Sequence, residues 1–380
     1  MAAAAVTTTT SSKWWEWSWK PTSDAKLQEA EAAMLSCLTS PYELNTVLLE
    51  NGESINTLKL GNGPPLVLIH GFGGGLALFA ANLEHLAQTH TVYAIDLPGF
   101  GRSSRPDFTG TTTAEAEQYF TNAFDMWMNA VGLESAVVMG HSLGAYLSAC
   151  WALSHPHRFR RLVLVDPFGV PKRPADEQVP IGFWRKMIIG GIKAVSSSPL
   201  TLLRAAGPWG PGLIKRLRPD LLDKFSHLHP DSSVTSNYIY HVNAQSPASG
   251  EVAFTKLMSG LGWAADPLID RLPTLDTRIP VSFIYGIDSW MNPLCGVQLK
   301  EAMTEHETDY VALTNAGHHV YIDQWMDFNR FAVYAARGQL GEATKSHYKA
   351  MVRALRDQEA RIQQERHRAA PSAPQPATSS

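Results

Sequence analysis

A chain of 380 residues, 44% of them hydrophobic, can bury a large core as one big domain or as one domain with an insertion. A formal net charge of −3, with no Lys/Arg block in the body of the chain, argues against nucleic acid as the main partner. The three cysteines, Cys37, Cys150 and Cys295, are widely spaced with no CxxC pair, so they read as buried or free thiols in a reducing compartment and not as a disulfide frame or metal site.

The first residues, MAAAAVTTTTSS, lead into KWWEWSWK (13–20), which holds four of the eleven tryptophans: Trp14, Trp15, Trp17 and Trp19. Thr and Ser after a short alanine run, then Trp-Glu-Trp, do not make a signal peptide. The acid-free start has the Ser/Thr content of a transit peptide but lacks arginine, and no apolar span reaches about 18 residues, so cytosolic residence is expected. Residues 1–22 read as a flexible arm. Clustered Trp between Lys13 and Lys20 suits a membrane–water interface, where an apolar ring with a polar N–H is favoured. Packing of one or two of the four on the protein's own surface is the alternative.

From Ser23, a good cap residue, DAKLQEAEAAMLSCL has helical periodicity. NTVLLENGESINTLKL reads as a β-hairpin with Asn51-Gly52 in a tight turn that needs positive φ. After Pro64-Pro65, short apolar strands alternate with helices. The strands are LVLIH (66–70), TVYAID (91–96), SAVVMG (135–140), RLVLVD (161–166), VSFIYG (281–286) and DYVALTNAG (309–317). Continuous apolar runs of this kind are buried on both faces, so the pattern predicts a doubly wound, mostly parallel α/β sheet. Between Asp166 and Pro280 the rhythm breaks into short helical stretches rich in Gly, Pro and Trp. That segment is too long for a structureless loop and predicts an inserted helical cap over about 168–275. The domain is then 23–335, followed by a charged helix and a disordered tail at 336–380.

Three motifs fall at strand ends. Gly140-His141-Ser142-Leu143-Gly144 lies between a strand and a helix, where a tight turn pushes the serine hydroxyl outward and a helix N-terminus favours negative charge beside it. His70-Gly71-Phe72-Gly73-Gly74-Gly75 bends so that a backbone N–H, that of Phe72, points toward the serine. With the Leu143 N–H it would form an oxyanion hole. A dinucleotide loop would need glycine at the position of Leu76, so that reading fails. Gly317-His318-His319 follows the last strand, where the general base of a serine hydrolase of this order is found. His318 is the candidate base, with His319 as the alternative. The orienting acid is expected after VSFIYG, where Asp288 is the nearby carboxylate. Asp166, ending the preceding strand, is the alternative.

Together HGFGGG, DLPGFGRSSRP (96–106), GHSLG, LVLVDPFGVPKRP (162–174), GPWGPGLIKRLRPD (207–220), YIYHVNAQSPASGE (238–251) and GHHVYID resemble the α/β-hydrolase-domain 4/5 subfamily over roughly residues 14–335. The resemblance implies an α/β-hydrolase fold and a lysophospholipase-type or lipid acyl hydrolase with lysophosphatidate acyltransferase activity. The same subfamily includes a lipid-droplet co-activator of triacylglycerol lipase. In the vertebrate co-activator branch asparagine replaces the serine kept here as Ser142, which favours hydrolase or transferase chemistry. Plant-type relatives carry an aspartate where this chain has Ser289, so the acid has moved to Asp288 or been lost. The subfamily's H-x4-D pattern, linked to acyl transfer, appears as His318 to Asp323. Acyl transfer needs no such motif, because an acyl-serine can be resolved by water or by a lysophospholipid hydroxyl.

In the cap, GFWRKMIIGGIKAV (182–195) reads equally as a basic amphipathic segment at a lipid surface and as a lid helix. Lys215, Arg216 and Arg218 read as solvated charge, with a phosphate headgroup as the sharper alternative, and the basic C-terminal helix reads as solvated. The expected protein is a cytosolic serine acyl hydrolase, peripheral on droplets or membranes. Its catalytic set is Ser142, His318 and Asp288, and Trp14, Trp15, Trp17 and Trp19 anchor it to lipid. It needs no metal or cofactor, acyl-CoA being a co-substrate if transfer occurs. The expected partners are lipid and, in the co-activator reading, a lipase or droplet coat protein. A monomer is expected.

Overall fold

The apolar runs fold into one eight-stranded sheet: β1 (Tyr42–Leu48), β2 (Ser54–Leu60), β3 (Pro65–Ile69), β4 (Thr91–Ile95), β5 (Ala136–His141), β6 (Phe159–Val165), β7 (Val281–Gly286) and β8 (Thr308–Leu313), in the order β1-β2-β4-β3-β5-β6-β7-β8. The computed structural model describes residues 22–174, 200–260 and 262–369; the tryptophan cluster, the segment 182–195 and the tail beyond 369 lie outside them. β2 pairs antiparallel with β1 and β4, and every other neighbouring pair is parallel. Strands β3, β5 and β7 are almost wholly buried, as expected where helices cover both faces.

Local signals set the helix ends. In α1 (Asp24–Leu35), Ser23 accepts the Lys26 N–H, and Leu27, Met34 and Leu35 are buried. α2 spans Ala80–Ala87. α3 (Thr113–Ala130) opens on a capping box in which Thr112 and Glu115 satisfy each other's backbone amides. α4 (Leu143–Ser154) is buried along nearly its whole length, as its uniform apolarity requires. The hairpin differs in detail from expectation. Leu49 N–H donates to Glu53 O at 2.8 Å and Gly52 N–H to Leu49 O at 3.0 Å, so Glu50-Asn51-Gly52 form a three-residue loop. Only Gly52 takes the left-handed conformation (φ +84), as such loops require.

β3 is flanked by β4 on one side and β5 on the other, so the chain reverses its direction of winding there. The loops leaving β3 and β5 therefore meet at the carboxyl edge of the sheet, the usual place for a site in this architecture. Between β6 and β7 the described residues form the helices Thr201–Ala205, Gly210–Leu217, Pro219–Lys224, Ser232–Ala244, Ser249–Lys256 and Leu268–Arg271. This insertion covers that edge: Asn243 Nδ2 donates to Gly73 O at 2.8 Å, and Phe254 stacks on Phe72 with ring centroids 4.6 Å apart. The helix Tyr348–Ala369 is not a wholly solvated element outside the domain. Its first turns pack on the edge strand β8, where Val352 and Leu355 are buried and Met351 Sδ accepts the Ala312 N–H.

Candidate active site

β5 ends inside the motif GHSLG, and α4 begins one residue after the serine. Ser142 bridges them with φ 54 and ψ −116, a backbone conformation rare for a residue with a side chain. The elbow is held at both ends: Ser142 N–H donates to Val165 O at 3.0 Å, and Ser142 O accepts from Ala145, Tyr146 and Phe168. Gly140 and Gly144 are demanded by crowding, since a Cβ on either would lie 2.3–2.4 Å from a backbone oxygen of the neighbouring turn or strand. The serine is 7% exposed.

His318 leaves β8 and reaches back over β7 and β6. Its Nε2 lies 2.9 Å from Ser142 Oγ, and its Nδ1 lies 2.6 Å from Asp166 Oδ2. A carboxylate can only accept, so Nδ1 carries the proton and Nε2 presents its lone pair to the serine hydroxyl. Asp166, wholly buried at the exit of β6, also accepts Ser289 Oγ–H at 2.6 Å and Gly286 N–H at 3.3 Å. Burial pushes Asp166 up to about 7 against these donors, and burial pushes His318 down to about 3. A neutral imidazole at neutral pH is what a base for Ser142 requires.

The carboxylate on His318 is therefore Asp166 and not Asp288. The Asp288 side chain is exposed; only its backbone amide is used, donating to Ala316 O at 2.9 Å. The loop after β7 turns its chain toward β8, which points Asp288 away from the sheet edge. Ser289 supports the Asp166 carboxylate instead and in turn accepts the Met291 N–H at 3.0 Å. In the sequence the signal was LVLVDP: a carboxylate that continues a fully buried strand has to be paired.

Asp323 touches neither Ser142 nor the His318 ring. Its Oδ2 accepts the Gly317 N–H at 2.8 Å and its Oδ1 pairs with Lys224 Nζ at 2.6 Å. His319 Nδ1 lies 3.2 Å from the Tyr321 hydroxyl. Sequence reasoning missed three supporting residues. His141 Nε2–H donates to the His318 carbonyl at 2.8 Å. The Trp290 ring lies 4.8 Å from that of His318. Asp96 accepts the Leu76 and Arg102 amides at 2.7 and 2.9 Å, which pins the end of the glycine-rich loop. Among the described residues the Phe72 and Leu143 amides have no hydrogen-bond partner, and Leu143 is the first residue of α4.

The family described as "alpha/beta hydrolase fold" matches residues 64–324. The chain is 43% identical to "1-acylglycerol-3-phosphate O-acyltransferase ABHD5" of Sus scrofa, over 81% of this chain and 88% of that protein. It is 39% identical to "(Lyso)-N-acylphosphatidylethanolamine lipase" of Bos taurus, over 81% and 90%. Among solved structures, carboxylesterase CesB from Bacillus subtilis superposes with a TM-score of 0.60, at 17% identity, over 83% of this chain and 98% of that one, a likeness of fold.

Proposed function

Since this chain belongs to the α/β-hydrolase fold family, and within it to the α/β-hydrolase-domain 4/5 subfamily, we propose that it is a serine acyl hydrolase of glycerolipids or lysophospholipids, able to pass the acyl group to a lysophosphatidate hydroxyl. The observation that carries this is the hydrogen-bond chain from Ser142 through His318 to Asp166 on a strained elbow. Ser142 Oγ attacks the acyl carbonyl while His318 Nε2 takes its proton. Asp166 holds the Nδ1–H and stabilises the imidazolium that forms. The Phe72 and Leu143 amides receive the oxyanion. Collapse breaks the ester bond, or the thioester bond of acyl-CoA, and His318 returns the proton to the leaving alkoxide or thiolate. Water, or a lysophospholipid hydroxyl when acyl-CoA is the donor, then releases the acyl group by the same steps in reverse. The names of the relatives support the lipid class. No described helix is long and apolar enough to cross a membrane.

A fluorophosphonate probe is expected to label the wild type and not Ser142→Ala, and Ser142→Ala is expected to release no fatty acid from lysophospholipid vesicles. A wild type that stays unlabelled in detergent and in lipid would sink the enzyme reading. In that case stimulation of a lipase in trans by Ser142→Ala would point to a co-activator.

A further inference from the structure

The loop that presents His318 is tied to the helical insertion by a carboxylate for which the reaction has no use. Asp323 sits four residues beyond His319, in the short helix Val320–Asp323, and takes two partners from different parts of the fold. One is the Gly317 N–H at 2.8 Å, in the residue immediately before His318. The other is Lys224 Nζ at 2.6 Å, at the end of the insertion helix Pro219–Lys224. The pair is shielded, with side chains 9% and 24% exposed for Asp323 and Lys224. On the insertion side the anchor is firm, because Leu221, Leu222 and Phe225 are buried.

We propose that Lys224 and Asp323 form a charged clamp through which the seating of the insertion sets the position and basicity of His318. The H-x4-D pattern is then a positioning device and not an acyl-transfer motif. This rests on the reading that His318 is the base for Ser142.

Two physical effects follow. A backbone amide bonded to a carboxylate is a charge-assisted contact, and it fixes the residue next to the reacting ring. A displacement of that ring by about 1 Å is enough to lose roughly a hundredfold in rate. The second effect is the field at His318. Asp166 faces its Nδ1; the rings of His141, His319 and Trp290 lie 4.8, 5.5 and 4.8 Å from its own; Lys224, Arg218 and Asp323 supply the nearby charge. Lys224 and Arg218 disfavour a proton on His318, and Asp323 favours one. Seated together, Lys224 and Asp323 offset each other. Withdrawal of the insertion helix leaves Asp323 uncompensated and the loop unclamped, which makes His318 both misplaced and easier to protonate.

The test uses the full chain and reads fluorophosphonate labelling and hydrolysis of a soluble p-nitrophenyl ester against pH, at equal folded fraction. Lys224→Gln is expected to move the acid-limb midpoint up by roughly half a pH unit, and Asp323→Asn to move it down by a similar amount. The double variant should return near the wild-type midpoint. Asp323→Ala, which also loses the Gly317 contact, should label about tenfold more slowly at the plateau, while Asp323→Asn keeps an acceptor for that amide and loses less. With acyl-CoA and lysophosphatidate supplied, hydrolysis and transfer should fall in proportion in Asp323→Ala. Midpoints that stay put or move the same way in both single variants would overturn the clamp, as would selective loss of transfer. An unlabelled wild type overturns the reading of the site itself; a labelled wild type whose variants match it overturns the clamp alone.

Discussion

Ser142, Asp166 and Asn315 are the non-glycine residues with positive φ among those described, at 54, 44 and 54 degrees. Two belong to the hydrogen-bonded chain at the site, and the third lies in the loop that leads from β8 to His318. Conformations of this kind disfavour folding by about 1–3 kcal/mol each and persist where surrounding bonds over-determine them. Here those bonds are visible, for example Asp166 N–H to Ile284 O at 2.8 Å. The same residues fix the outcome of two substitutions. Asp166→Asn keeps the shape but removes the charge that selects the Nδ1–H tautomer, so kcat should fall by about a thousandfold or more. Asp288→Asn alters an exposed side chain and should stay within about threefold of wild type. Steady-state kinetics on a soluble ester separates them, and a larger loss for Asp288 would refute the geometry. The pH dependence has a definite sign. Asp166 is pushed up to about 7 by burial and must be ionised to hold the imidazole, so ester turnover is expected to be low in acid and to rise as pH passes through that value. The proton belongs to the Asp166–His318 pair, so one limb is expected and not two. A bell-shaped acid side with two steps would contradict this.

At the scale of elements, the glycine-rich loop, the elbow and the histidine loop come together because β3, β5 and β8 all run parallel and end at one edge. β8 is also the border of the sheet, and a bare border is a template for unwanted pairing. The helix Leu340–Thr344 and the first turns of Tyr348–Ala369 pack against it, with Met351 on the Ala312 amide and Leu355 in the core at 3% exposure. Leu355→Ala should therefore lower stability by about 2–4 kcal/mol in chemical denaturation, while ester turnover per folded molecule stays unchanged. A Leu355→Ala chain as stable as wild type would mean that the helix is an appendage. Its composition concealed this role: nine of its 22 residues are charged, and among the described side chains the buried positions Val352 and Leu355 are a thin stripe.

For the whole molecule, Thr22 is the first described residue, and its hydroxyl is tied to His241 Nδ1 at 2.9 Å and Gln245 Nε2 at 3.0 Å. The described chain thus starts against the helix Ser232–Ala244 and its cap residue Gln245, within the insertion, and Trp14, Trp15, Trp17 and Trp19 precede it in the sequence. The same insertion exposes Leu217 beside Lys215 and Arg216, a combination suited to an anionic lipid surface. Replacing the four tryptophans by alanine should abolish sedimentation with phospholipid vesicles and spare hydrolysis of a soluble ester. Loss of both activities together would assign the arm to folding.

The strand pattern, the elbow serine, the terminal histidine and the insertion were legible in the sequence because each is a local signal: a continuous apolar run, a glycine pair around a serine, a break in rhythm. Subfamily membership followed from several such stretches together. The acid was not legible. Asp166 and Asp288 both follow apolar strands, and chain order puts both between Ser142 and His318. Only the tertiary structure decides between them, because the choice depends on which loop folds inward. The loop after β7 turns toward β8 and exposes Asp288, while the end of β6 lies beside β5, buries Asp166 beneath His318, and lends it the Ser289 hydroxyl. The clamp on Asp323 is likewise beyond the sequence, since Lys224 is brought to it by packing of the insertion and by no spacing along the chain. Sequence sets which groups a strand end can offer; burial and the direction of the next loop decide which one meets the histidine.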